Sequence, residues 1–250
     1  DGFWTVAVQP GHPYHDNRTE PFGRLHAAVA TLSRGPVSPA DKIGLMDRDL
    51  IMRSCMDDGT LLQPDVPALA LDSELRQLVL GHGGPRGEVW ATHNSVQGGV
   101  YRHVLAAQLQ APYALQRAEL DLTDADDVVV FNNANASAMA APQVWKNDTP
   151  LTLPACGKAD FQVWHTAPRL ANGWYLLGEL AKWVPVSAAR VHGLDVSPGD
   201  VVVTAAGTPQ ETVTMAFLTP ALQPVHVTCI VPELGLVAFS AARTACLAPA

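Results

Sequence analysis

From about residue 85 onward, one pattern recurs along the chain. Short runs rich in apolar, β-branched and aromatic residues are each closed by Gly, Pro, Asp or Asn. Candidate strands are Glu88–Thr92, Tyr101–Gln108, Leu115–Leu122, Val128–Asn132, Phe161–Thr166, Trp174–Leu180, Ala189–Leu194, Val201–Ala205, Thr212–Phe217, Val225–Val231 and Leu236–Ala241. They return roughly every 10–14 residues, a spacing that suits an antiparallel sandwich and leaves no room for crossover helices. Val128-Val129-Val130 and Val201-Val202-Val203 read as strands buried on both faces. Leu194-Asp195-Val196-Ser197-Pro198-Gly199-Asp200 reads as a hairpin connection. No fixed-period repeat is present, which argues against a propeller or solenoid.

The first part of the chain has a different rhythm. Phe3–Val8 predicts a short strand, broken by Gln9-Pro10-Gly11-His12-Pro13 because proline cannot donate to a ladder. Leu25, Ala28, Val29 and Leu32 fall at helical spacing within residues 21–33, and Gly35-Pro36 enforces a loop. A second helix is expected from about Asp47, with Leu50, Ile51 and Cys55 on one face. Asp57-Asp58-Gly59 marks a turn. Residues 60–72 carry Pro64 and Pro67 and read as an extended crossing segment. The expected division is therefore 1–66 and 67–250.

Composition narrows the class of function. With 48% hydrophobic and 16% charged residues, the 250-residue chain can bury a sizeable core. A net charge of -8 argues against nucleic acid, which needs a basic stripe to meet phosphates. No apolar run approaches the roughly 18 residues that span a bilayer, so no membrane partner is expected. The opening Asp1-Gly2-Phe3-Trp4 has no initiator Met and no signal-type core. It reads as the start of a fragment or of a mature product, with the fragment preferred.

Cys55, Cys156, Cys229 and Cys246 show no zinc-type spacing; Cys229 and Cys246 can pair, or all four can be buried thiols. Sequons at Asn17, Asn135 and Asn147 lie in polar, turn-rich segments, as glycan acceptors must, and point to the secretory route or the extracellular space.

Few residues suggest chemistry. His12-Pro13-Tyr14-His15 has two imidazoles but no third ligand, so an exposed loop is expected and no metal. The adjacent carboxylates Asp57 and Asp58 suit a turn, since a glycosidase pair comes from different strands. Asp41 follows the Gly-Pro loop, where a carboxylate can hold sugar hydroxyls or serve as a turn or cap residue. Trp164, Trp174 and Trp183 are aromatics that either stack on sugars or fill the core. Gly81-His82-Gly83-Gly84 lacks any nucleophile context and reads as a loop. Neither a phosphate-binding nor a dinucleotide motif occurs, and no cofactor is expected.

The run Gly35-Pro36-Val37, Asp41-Lys42-Ile43-Gly44, Leu50-Ile51-Met52-Arg53 and Asp58-Gly59-Thr60-Leu61-Leu62 resembles the end of the barrel in the α-galactosidase, raffinose synthase and seed imbibition family of glycoside hydrolases. Val96-Gln97-Gly98-Gly99-Val100-Tyr101 is similar to a Gln-Gly-Gly turn of that family. The likeness covers roughly residues 20–66; Ser38-Pro39-Ala40 replaces the family's aromatic and Ser.

It implies that residues 1–66 are the last segment of a (β/α)8 barrel, incomplete here, and that 67–250 form a β-sandwich domain. It further implies retaining hydrolysis or transfer of α-galactosides by two Asp residues upstream of the matched region. No catalytic residue is carried over, and the fragment alone is expected to be inactive. Asp41, Lys42 and Trp4 are the candidate substrate-binding residues; an oligosaccharide or glycan and the upstream barrel are the expected partners. The alternative is a secreted, non-catalytic carbohydrate-binding or interaction sandwich with Trp164, Trp174 or Trp183 as its platform.

Overall fold

The computed structural model describes residues 2–11, 18–123, 125, 127–132 and 140–248. The chain is mainly β, with several antiparallel sheets in a sandwich-like arrangement. Helices α1 (Gly23–Leu32) and α2 (Arg48–Met52) precede a two-residue strand β1 (Leu69–Ala70) and helix α3 (Asp72–Leu80).

Twelve of the remaining strands and one short helix follow in this order: β2 (Glu88–Val96), β3 (Gly99–Ala107), β4 (Tyr113–Leu115), a 3-10 turn (Arg117–Leu120), β5 (Val128–Asn132), β6 (Ala140–Val144), β7 (Leu151–Leu153), β8 (Gln162–Pro168), β9 (Tyr175–Gly178), β10 (Val191–Ser197), β11 (Asp200–Ala206), β12 (Thr212–Leu218) and β13 (Pro224–Ile230). β14 (Leu236–Ser240) and β15 (Ala245–Leu247) complete the chain.

The central sheet has the order β1-β2-β3-β8-β5-β6. Strand alternation sends its side chains to two faces. On one face Val104, Ala106, Val128, Val130 and Trp164 pack against Leu115, Leu151, Leu153 and Trp145 of the β4–β7 ribbon and its flanks. The other face is shared. At one end Leu105, Ala107 and Val163 meet Leu25, Ala28 and Leu32 of α1, together with Phe161 and Trp183. At the other end Val96, Tyr101, Val129, Phe131 and Ala167 meet the sheets β13-β12-β9 and β10-β11-β14-β15 through Leu176, Met215, Phe217, Val203 and Phe239. Residues from both sides of position 66 thus enter one core.

Two glycines permit close approaches that this packing needs. A Cβ on Gly23 would lie 2.2 Å from the Trp4 carbonyl oxygen, so α1 can start against the N-terminal segment only with glycine. A Cβ on Gly178 would lie 2.2 Å from the Pro185 carbonyl oxygen, and its φ of +82° is also left-handed. Gly178 begins a buried excursion, residues 179–190, that carries Trp183 beneath α1.

Most expected strands are present, with corrections. Leu115–Leu122 is not a strand beyond Leu115. Gln116 and Glu119 form a reciprocal capping box, and Asp121 closes the turn at φ 53°. Helix α3 lies where no helix was expected; Asp72 and Glu74 occupy its first turn and Gly81 caps it in the left-handed region. Strands β6, β7 and β15 are additional. Val202 is only half-buried, so β11 is covered on one face, whereas Val128, Val129 and Val130 are buried on both. Val201 and Val203 are buried on the inner side of β11.

Cys229 of β13 and Cys246 of β15 form a disulfide that joins the two C-terminal sheets, while Cys55 and Cys156 are buried thiols. The cross-link closes a loop of 17 residues' separation. Limiting the unfolded chain in this way stabilises the fold by about 3 kcal/mol. Urea unfolding of Cys246→Ser should show a loss of that order; an unchanged midpoint with unchanged slope would contradict this role.

Candidate functional site

The segment before α1 runs beside the segment after it in the same direction. Phe3 and Pro39 form a parallel bridge, with Phe3 N donating to Ser38 O at 3.1 Å and Ala40 N to Phe3 O at 2.8 Å. The strand expected over Phe3–Val8 is reduced to isolated bridges, but helix α1 connects two segments that meet in parallel, whereas the strand pairs among the described residues are antiparallel. Parallel neighbours need such a crossover.

Asp41 lies two residues past the bridge at Pro39 and is 8% exposed. Its Oδ1 accepts from Thr5 N at 2.9 Å, Val6 N at 3.1 Å and Gln9 Nε2 at 2.7 Å. Its Oδ2 accepts from Thr5 N at 3.1 Å and Thr5 Oγ1 at 2.9 Å. The oxygens a sugar would need are engaged by the chain itself. Asp41 holds the 5–9 turn over the strand ends, while the cap of α2 is Asp47, whose carboxylate accepts from Leu50 N at 3.0 Å. Lys42 reinforces the join: its backbone N donates to Gln9 Oε1 at 2.8 Å and its Nζ to Pro10 O at 2.9 Å.

Trp4 is half-buried and lines a cavity of about 360 Å³ with Arg18, Glu20 and His26. Asp41 and Lys42 do not line it. Of the three residues singled out from sequence, Asp41 and Lys42 both hold the 5–10 turn, and Trp4 lines a separate cavity.

Two polar clusters that sequence reasoning missed lie deeper. The first is ionic. Arg190 donates from Nε to Glu179 Oε2 at 3.0 Å, from Nη1 to Ala206 O at 2.6 Å, and from Nη2 to Glu211 Oε1 at 2.5 Å. Lys182 Nζ lies 3.6 Å from Glu179 Oε1 and donates to Met52 O at 2.8 Å and Cys55 O at 2.7 Å. All four charged side chains are buried. Burial raises the Glu179 carboxyl pKa, an effect only partly offset by Arg190 and Lys182. At Glu211 burial acts the same way, but the hydrogen bonds from Arg190 and from Thr208 N outweigh it and hold the pKa low. Arg53 stacks over the Trp183 ring at 3.8 Å, and its carbonyl accepts from Trp183 N at 2.8 Å. Burial, with Arg24 nearby, pulls the Arg53 guanidinium down to about 10.

The second cluster crosses the central sheet between the two cores that share its face. His103 of β3 and His165 of β8 are in register, their Nδ1 atoms 2.7 Å apart. His103 Nε2 is 2.7 Å from Asn94 Oδ1 on β2. Asn94 Nδ2 donates to Gln63 O at 3.0 Å, which fixes the amide and aims Oδ1 at His103. This network assigns the proton of His103 to Nε2 and that of the shared contact to His165 Nδ1. Both imidazoles are neutral. Burial, and then His93, push His103 down to about 3. Burial, then His103 and Arg53, push His165 well below its ordinary value.

The aromatic platform expected for a binding module is not displayed: Trp183 is 0% exposed, Trp164 is buried, and Trp174 is half-buried against the sandwich core. Asp57-Asp58-Gly59 is a turn, with Asp58 Oδ1 accepting from Thr60 N at 2.8 Å. Asn147 lies in an exposed turn between β6 and β7. His12, Pro13, Tyr14, His15, Asn17 and Asn135 fall outside the described residues.

Among the described residues, no cluster of three or more metal-ligating side chains occurs, and no helix is long and apolar enough to cross a membrane. Comparison of the chain with protein-family models and with curated proteins finds no match.

The histidine pair makes stability depend on acidity. A histidine whose folded pKa is depressed binds fewer protons folded than unfolded below its ordinary value of 6.5, so stability falls as pH drops from there towards about 3. Between about pH 7.5 and about pH 5, His103 alone should remove about 2 kcal/mol, with His165 acting in the same direction. Urea midpoints across that interval measure the slope. His103→Gln should flatten it; a pH-independent midpoint in the parent chain would contradict neutral, buried imidazoles.

Proposed function

We propose that this chain is the C-terminal part of a carbohydrate-active enzyme of the α-galactosidase and raffinose synthase type. Residues 1–66 supply the last strand–helix–strand unit of a (β/α)8 barrel. Residues 67–250 form a sandwich that covers the barrel's flank. The parallel pairing of Phe3 with Pro39 across α1 carries this reading, because that is how neighbouring barrel strands are joined and nothing in an antiparallel sandwich requires it.

The position of Asp41 supports it. Active sites of such barrels form from loops at the carboxyl ends of the strands, where Asp41 ties one loop to the next. In this reading Asp41 shapes the rim, while Lys42 and Trp4 stand on the two strand ends beside the sugar. The catalytic Asp pair lies upstream, and the present chain is inactive alone. The Cys229–Cys246 disulfide and the exposed sequon at Asn147 support passage through an oxidising secretory compartment, with Asn17, Asn135 and Asn147 as glycan acceptors.

The coding sequence upstream of Asp1 tests this directly. About 300 or more residues of alternating strand and helix, with an Asp at the ends of two different strands, are expected. A reading frame that starts at residue 1, or that supplies only a signal peptide before it, would overturn the proposal. So would hydrolysis of an α-galactoside by this chain alone.

A further inference from the structure

A cavity that Asp41 does not line lies at the end of the central sheet, where β3, β5 and β8 meet the turn before β9. Its volume is about 640 Å³, within the roughly 300–1,000 Å³ typical of small-molecule sites. Small residues shape its walls: Gly98 and Gly99 from the β2–β3 hairpin, Ala171 and Gly173 from the turn before β9. A second cavity, of about 360 Å³, shares Val100 and Arg102 with the first. The two adjoin at these residues along the sheet end.

The charged groups in the larger cavity are held in place before any ligand arrives. Arg169 Nη1 and Asp127 Oδ2 are 3.2 Å apart, and both side chains are about half exposed, at 50% and 45%. Their backbones are joined by Arg169 N donating to Asp127 O at 2.8 Å. Tyr175 Oη donates to Asp127 Oδ1 at 3.4 Å from below. Asn172 fastens the turn to the β10–β11 hairpin through Ser197 O at 2.8 Å and Asp200 O at 2.9 Å. Arg102 is anchored by the carbonyls of Leu120 and Asp121. A donor and an acceptor so fixed match two adjacent hydroxyl groups, and Val100, Pro168 and Leu170 offer apolar surface for the C–H face of a ring.

Among the described residues, Arg102 and Arg169 are met by Asp127 here and by Glu119 and Asp121 in the adjoining cavity. The chain's net charge of -8 does not favour an anionic ligand. We infer that this groove is a non-catalytic binding site for a neutral oligosaccharide, with Asp127 and Arg169 gripping vicinal hydroxyls. The choice of an α-galactosyl oligosaccharide rests on the carbohydrate reading above.

Calorimetric titration of the chain with raffinose and, separately, with maltohexaose tests the inference. Raffinose should bind with a Kd of about 1 mM or tighter, and Asp127→Asn and Ala171→Trp should each weaken it at least about tenfold. Both positions are exposed enough that the urea midpoint should stay within error of the parent, and Ala171→Trp acts by filling space. Binding of maltohexaose alone, with the same sensitivity to both substitutions, would sustain a sugar groove while counting against the galactoside reading. Binding of neither sugar, binding that survives both substitutions, or preferential binding of inorganic phosphate would overturn the inference.

Discussion

The structure depends on a line of buried charge: Lys182, Glu179, Arg190 and Glu211. A buried ion pair adds little net stability relative to a well-packed apolar pair, but removing one partner costs about 3–5 kcal/mol because the other is stranded. Its weight here is therefore positional. Arg190 draws the start of β10 onto the 207–211 turn, and Glu179 draws in the end of β9. Lys182 then reaches the carbonyls of Met52 and Cys55, across more than half the chain. With those charges matched, Trp183 can sit fully buried between Phe161 and Arg53. The N-terminal helices and the C-terminal sheets are joined through this excursion.

The histidine pair closes the same face of the central sheet from the other direction. Asn94, His103 and His165 occupy three neighbouring strands where the core under α1 gives way to the core between the sheets. An apolar side chain at this seam would leave the Gln63 carbonyl, which Asn94 satisfies, without that donor. The polar crossing thus ties the extended segment after α2 to the sheet, and so the N-terminal unit is held by two specific networks as well as by apolar contact.

Much of this architecture was legible. Apolar and β-branched runs closed by Gly, Pro, Asp or Asn located most strands, because such residues suit a buried pleated surface and the breakers suit turns. The apolar spacing of Leu25, Ala28 and Leu32 gave α1. Helix α3 carried a signal too: Leu71, Leu75, Leu78 and Val79 fall at helical spacing and Asp72, Glu74 and Gly81 mark its ends, although the fold leaves Leu75, Leu78 and Val79 at 50–81% exposure. Nothing in the sequence marked Lys182, Glu179 and Arg190, because local pattern does not reveal which distant charges will meet in the core. His103 carried a usable signal, an imidazole inside an otherwise apolar run, which demands a partner. For Asp41 the location was legible but the role was not. Its five hydrogen bonds from Thr5, Val6 and Gln9 depend on a turn whose path only the folded chain defines.

If buried charge and the histidine crossing bind the N-terminal unit to the sheets, the two should open together. Native-state hydrogen exchange of the chain, read by mass spectrometry, reports this for α1 and for β11 and β12 separately. The account predicts that amides of residues 23–32 exchange with the same opening free energy as those of 200–218, and that Glu179→Gln lowers both equally. Fast exchange in 23–32 while 200–218 stays protected would show that the N-terminal unit is an independent appendage, and would contradict the account.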